Sequence, residues 1–193
     1  MYFSRYFLAF SLSVGALTAC SSSSDSSTAS TSAGDAQTPP STNGADVETW
    51  LTAGSYKTWS CETVSHPQLK VSPHGQNRIC SNDLIASFTG TGERPKGSAA
   101  VKELLDDSDK VVGYAVSVKL AAASDSGNNW YWYERIPIDS MAAPHDSAGV
   151  VADGAGTAQT AGTKLCVGCH SAAGLDDMHT VTKSGDYVYD VIN

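Results

Sequence analysis

The sequence predicts a mainly β domain of the α+β class, with antiparallel strands, a few short helices and one chemically distinctive segment near its C-terminal end. Three observations predict it. Residues 111–118 alternate, with Val112, Tyr114, Val116 and Val118 on one face and Val111, Gly113, Ala115 and Ser117 on the other. The run "WYWYERI" is dense in aromatic side chains, with Trp130 and Trp132 on one face and Tyr131 and Tyr133 on the other. Stretches rich in Gly, Ser, Asn, Asp and Pro, such as "TGTGERPKGS" and "AAASDSGNN", punctuate these runs as loops.

Taken in order, residues 47–60 place Val47, Trp50, Leu51 and Tyr56 at near-helical spacing, which predicts a short helix weakened by Gly54. "SHPQLKVSPHGQ" reads as loop, "NRICS" as a short strand, and "NDLIASF" as a short helix capped by Asn82 or Asp83. "SAAVKELLDD", the turn "DSDK" and "VVGYAVSVKL" form an antiparallel hairpin. The Pro-, Gly- and Ala-rich stretch 137–163 reads as irregular, "TKLCVGCHSAA" as a helical turn or short helix, and "GDYVYDVIN" as a closing strand or helix end.

The first residues, "MYFSRYFLAFSLSVGALTAC", combine Arg5 with an apolar run from Tyr6 to Ala19 that is short for a membrane span and fits a secretory signal. Leu17-Thr18-Ala19-Cys20 resembles a bacterial lipobox. The expected organisation is a lipoprotein signal peptide over 1–19, a lipidated Cys20 with a flexible tether over 20–46, and one domain over 47–193. The tether is Ser-, Thr- and Ala-rich, with no large apolar side chain to bury. Acyl chains on Cys20 would hold the protein at a membrane without a spanning helix. Ser21, in place of an inner-membrane retention Asp, points to the outer membrane of a Gram-negative bacterium, facing the periplasm. The net charge of −8 gives no basic face for nucleic acid.

Five cysteines are present. Beside Cys20 there are Cys61 and Cys80, which export would allow to pair as a disulfide worth ~3 kcal/mol, and Cys166 and Cys169. The last two belong to "CVGCH", a Cys-x-x-Cys-His run ending at His170. In c-type haem attachment the two thiols form thioethers with the porphyrin vinyl groups and the next His binds the iron. A redox dithiol would sit in a βαβ unit, which is not evident here. A zinc site needs a fourth ligand beside Cys166, Cys169 and His170, with His179 the candidate. One covalent haem c, with His170 on the iron, is the reading adopted. For the sixth iron position the downstream candidates are Met178 and His179, and the upstream ones Met141, His66, His74 and His145, all in loop-like stretches. The expectation is an open or water-occupied distal site, suited to small-ligand binding or redox catalysis.

The "SPHG" loop with Arg78, the "VKELLDD" and "VVGYAVSVK" strands, "WYWYE" and a single Cys-x-x-Cys-His near the C-terminus occur together in this order. This combination resembles the cytochrome P460 family and its relatives, the cytochromes c′-β, over residues 47–193. The resemblance implies a dimeric antiparallel β fold with the haem carried by a C-terminal segment. It implies that Lys102, matching the family's cross-linking lysine, binds the porphyrin covalently, and that hydroxylamine is oxidised at the distal site, with electrons passing to a soluble cytochrome. The alternative it implies is a c′-β-like protein that binds nitric oxide, or a one-electron carrier, without turnover. From the residues alone, Lys102 shares a strand face with Ala100 and Leu104; it is either recruited by the haem or snorkels from the sheet edge. Glu103 points the opposite way; Glu134, at the end of the aromatic strand, is either the candidate catalytic base beside Lys102 or an exposed strand-end carboxylate. Arg78 is a candidate partner for a haem propionate or a surface side chain. Trp130 and Trp132 either line a haem pocket or fill the core, with core packing the default.

Overall fold

In a computed structural model the chain divides into two units, Met1–Ser30 and Thr31–Asn193. The structure describes residues 38–39, 41–68, 73–156, 160–181 and 184–189, all in the second unit. The predicted signal peptide, Cys20 and most of the predicted tether lie outside the described residues. No helix among those described is long and apolar enough to cross a membrane.

Among the described residues six antiparallel strands pair in chain order: β1 (Ser60–Cys61), β2 (Asn77–Ser81), β3 (Ala99–Leu105), β4 (Val111–Lys119), β5 (Trp130–Arg135) and β6 (Val150–Ala155). Each strand is joined to the next by a local connection, so the sheet is a meander. The β3–β4 hairpin forms where predicted. Asp106 Oδ1 accepts from the Ser108 and Lys110 backbone N–H groups at 2.9 and 3.1 Å, and Asp109 takes the left-handed conformation at φ 59°. Cys61 and Cys80 stand opposite each other in β1 and β2 and are joined as a disulfide.

Among the described residues three α-helices accompany the sheet: α1 (Gly44–Thr52), α2 (Asp83–Ala86) and α3 (Ala161–His170). Helix α1 starts three residues inside the predicted tether. Asn43 Oδ1 accepts from the Ala45 and Asp46 N–H groups, and Asp46 complements the helix dipole in the first turn. Asn82 caps α2 through the Ile85 N–H. Gly54 at φ 71° ends the α1 region and a 3₁₀ turn, Ser55–Thr58, follows.

Two expectations are corrected. Residues 150–155 are not irregular: they form β6 against β5. "VVADGA" has low β propensity, and its pairing comes from the edge that β5 would otherwise leave open. Residues 184–189 form neither strand nor helix. They make a tight turn closed by Gly185 N–H to Val188 O and Val188 N–H to Gly185 O, both at 3.0 Å.

The sheet buries both faces. On one, Val47, Leu51 and Tyr56 pack against Val101, Val116 and Tyr131. On the other, Trp130, Trp132 and Ala152 meet Val167 and Val188. Helix α3 docks on β6 at close range: a Cβ on Gly162 would lie 1.7 Å from the Val151 carbonyl oxygen. Only glycine allows that approach, and it sets the height at which α3 crosses the sheet.

Candidate functional site

Helix α3 opens with a capping box, Thr160 and Thr163 each bonding the other's backbone N–H at 3.0 Å. Its register puts Cys166, Cys169 and His170 at i, i+3 and i+4, so the three side chains share one face of the last turns. That face borders a cavity of about 550 Å³, within the usual range of ligand sites.

The strands build the rest of the cavity by register. Lys102 stands opposite Ala115, Ala115 opposite Glu134; one row along, Ala100 stands opposite Ser117 and Ser117 opposite Trp132. Small side chains on β3 and β4 thus leave room between taller ones. Adjacent strands are ~4.8 Å apart, so Lys102 and Glu134, two strands apart, face the same space without touching through the sheet. Both line the cavity; the sequence alone left open whether Lys102 snorkels from the sheet edge, and on which side Glu134 lies.

His74, from the β1–β2 connection, joins them. Its Nδ1 lies 3.1 Å from Lys102 Nζ and its Nε2 3.5 Å from Glu134 Oε1. An ammonium can only donate, so Nδ1 accepts and the Nε2–H points towards the carboxylate. Burial pushes the His74 pKa down, with the Lys102 cation adding to the effect and Glu134 opposing it, so the ring between them is neutral. Burial also pushes Lys102 down, to about 8, against the opposing pull of Glu134, Cys169 and Glu62.

His170 is fixed differently. Its Nδ1 is 2.7 Å from the Tyr187 carbonyl oxygen, which can only accept; Nδ1 therefore carries the proton and Nε2 the lone pair. The ring lies 4.6 Å from Trp132 and 5.3 Å, edge to face, from Tyr189. Desolvation, then the Lys102 cation, push its pKa down to about 3, which keeps the imidazole neutral and available as a ligand. The carbonyl is delivered by a strained turn: Asp186 and Tyr187 both adopt left-handed backbone, at φ 46° and 65°, at ~1–2 kcal/mol per residue.

The thiols have the opposite character to redox or zinc thiols. Burial pushes Cys166 up to about 12 and also raises Cys169, with Lys102 opposing in the second case. Both lie in the C-terminal half of α3, where the helix dipole disfavours an anion, whereas reactive dithiols use the N-terminal end. Among the described residues no three His, Cys, Asp or Glu side chains gather as metal ligands, and His179 is instead paired with Asp176 at 2.7 Å. A zinc centre built on Cys166, Cys169, His170 and His179 is therefore not assembled.

The donor set does fit a covalently held haem: two protonated thiols one helical turn apart, and a neutral imidazole with its Nε2 free of hydrogen bonds among the described residues. The cavity beside them is mainly apolar. Trp132, in its wall, keeps its Nε1–H buried without an acceptor among the described residues.

Most of the sixth-ligand candidates are not brought to this site. Met141 and Met178 are exposed, His145 bonds the Ser140 and Asp146 carbonyl oxygens, and His66 pairs with Glu62. His74 does reach the cavity, with both nitrogens directed to Lys102 and Glu134. Arg78 faces the other side of the sheet, donating from Nε to Glu103 at 2.8 Å, so it does not meet the cavity's contents. Trp132 lines the cavity, and Trp130 is a core residue stacked against it at 6.0 Å. The sequence reading missed the bridging role of His74 and the turn at Asp186 and Tyr187. A His in a Pro-Gly loop carries no local signal of what it will touch.

The chain matches no protein-family model and no curated protein.

Proposed function

We propose that this is a c-type haem protein, held at a membrane through Cys20, that works in the redox chemistry of small nitrogen compounds, with hydroxylamine as the substrate class. The observation that carries the haem is the meeting of Cys166, Cys169 and His170 at the wall of one 550 Å³ cavity, with His170 Nδ1 turned to the Tyr187 carbonyl. Cys166 and Cys169 would form the thioethers and His170 would bind the iron. Bound there, haem c supplies an iron that can coordinate a small nitrogen compound and take its electrons for an external soluble cytochrome. The chain's own part is proton handling. Glu134 would be the base that takes the N–H and O–H protons of the substrate, with the His74 Nε2–H directed at its carboxylate and the Lys102 ammonium holding the His74 Nδ1 lone pair; the resemblance gives Lys102 the further role of joining the porphyrin. The resemblance to the cytochrome P460 family supplies the substrate class and the expectation of a dimer.

A second reading rests on Lys102 itself. Its amine is engaged by His74 at 3.1 Å. If it stays so, the haem is an ordinary c-type haem in an apolar cavity, and the protein binds nitric oxide or carries single electrons without turnover.

The test is the absorption spectrum of the reduced protein, with and without nitric oxide, from a host that matures c-type cytochromes, together with the mass of its haem peptides. A red-shifted ferrous spectrum and a haem peptide containing Lys102 support the enzyme. A normal c-type spectrum with nitric oxide binding and no hydroxylamine oxidation supports the binder. Absence of covalent haem overturns both.

A further inference from the structure

Outside the residues that line the cavity, a buried ion pair has no part in the chemistry above. Lys119, at the end of β4, has a fully buried side chain, and its Nζ donates to Asp186 Oδ2 at 2.7 Å. Asp186 also accepts from the Arg94 backbone N–H at 2.6 Å and from the Ser124 hydroxyl, which in turn accepts from Trp130 Nε1 at 3.1 Å. Three distant segments thus converge on one carboxylate in a loop that makes little secondary structure of its own.

That carboxylate belongs to the left-handed Asp186–Tyr187 turn. Two successive non-glycine residues do not hold this conformation unaided. From this turn the Tyr187 carbonyl accepts from His170 Nδ1. The same network reaches His170 by a second route: Lys119 lies over the Trp130 ring, Trp130 stacks on Trp132, and Trp132 packs on His170. Both routes end on the one imidazole.

We propose that the Lys119–Asp186 pair, with Ser124, is a positioning device that locks His170 in its Nδ1–H form and keeps Nε2 presented to the cavity. Asp186, Lys119 and Ser124 are positioning residues, acting through the Tyr187 carbonyl. The consequence for an iron ligand rests on the haem reading; the lock on the tautomer does not. A carbonyl bonded to the outer nitrogen makes the imidazole a stronger donor at the inner one.

Two measurements separate the two ideas. The first uses the full chain carrying Cys166→Ala and Cys169→Ala, with histidine labelled with nitrogen-15. His170 should show a single Nδ1–H tautomer. Adding Lys119→Met with Asp186→Leu, which exchanges the ion pair for apolar side chains, should give a mixture of both tautomers. Asp186→Asn keeps an acceptor and tolerates left-handed backbone, so it should preserve the single form. A folded double variant that still shows only the Nδ1–H form overturns the proposal, as does a mixture in the parent chain. Should the double variant not fold, Ser124→Ala replaces it: a partial mixture supports the device, and an unchanged single form overturns it. The second measurement is the iron–histidine stretching frequency and midpoint potential of the loaded protein. The double variant should lower the frequency and raise the potential, and unchanged values overturn the iron-side consequence. If no haem is found but the tautomer responds as described, the haem reading fails and the positioning device stands.

Discussion

Lys102 and Glu103 are adjacent in β3, and the pleat sends them to opposite faces of the sheet. Glu103 is fully buried under α1, where Tyr56 Oη and the Arg78 guanidinium both donate to it. Tyr56 has its own pKa raised, first by burial and then by this carboxylate. Lys102 goes to the other face, where Ala115 and Ser117 leave space, and it opens onto the cavity beside His74, Glu134 and His170. The two faces teach different lessons about buried charge. On the α1 face, the charge is closed off by partners and serves packing. On the cavity face, it is left beside volume, and burial lowers its pKa.

Substitutions on the α1 face should therefore unfold the protein, and those on the cavity face should disable it. The largest effect is expected for Glu103→Ala, which strands the Tyr56 hydroxyl and leaves Arg78 unpaired. A loss of about 3 kcal/mol should appear in urea unfolding, at the low end because Arg78 is partly exposed and can reach water. Next, replacing Cys61 and Cys80 by Ala opens a link across 19 residues of chain and should lower stability by about 3 kcal/mol, seen as a lower Tm. If the proposed haem is bound, its spectrum should be unchanged in both.

Lys102→Met should have the opposite sign. Between pH 8 and the ordinary lysine value of 10.5 the unfolded chain binds more protons at this position than the folded one, so wild-type stability rises with pH across that window. Below pH 8 the burial cost of the cation is fully present, and the Met variant should be more stable by about 1–3 kcal/mol. Lys102 keeps part of its surface exposed, which trims the figure towards the lower bound. The gap should close as pH approaches 10.5, in unfolding curves taken at pH 7, 9 and 10.5. A Met variant less stable than wild type at pH 7 would break the comparison, since Lys102 would then be a structural residue like Glu103.

The smallest effect on stability, under about 1 kcal/mol, is expected for Glu134→Gln, which keeps the shape of the side chain. On the proposed function its effect should lie in turnover: hydroxylamine oxidation should fall by about 100-fold or more, while nitric oxide binding persists. Equal loss of both would show that Glu134 holds the cavity together rather than moving protons.

Much of this was readable from residue order. The period-2 alternation in β4 and β5 and the Asn82 cap of α2 are local signals and were found locally. So was the opposition of Lys102 and Glu103, since neighbouring side chains in a strand must diverge. Strand β6 was missed because Ala, Gly and Asp carry no strand signal; it is a strand only because β5 offers it an edge and α3 covers it. The turn at 185–188 was missed because its backbone is held by Lys119, Ser124 and Arg94, none within 60 residues of Asp186.

The sequence by itself determined the chemical inventory: the two thiols and the imidazole at fixed helical spacing, the face each β3 side chain takes, and the cysteines able to pair. Those follow from the periods of helix and strand, which are properties of a few residues. Only the tertiary structure decided what the inventory does. It brought His74 between Lys102 and Glu134, turned Arg78 away to Glu103, and set the Tyr187 carbonyl against His170. Each of these is a contact between segments far apart in the chain. Their positions depend on how sheet, helix and loops pack, and no local pattern encodes them.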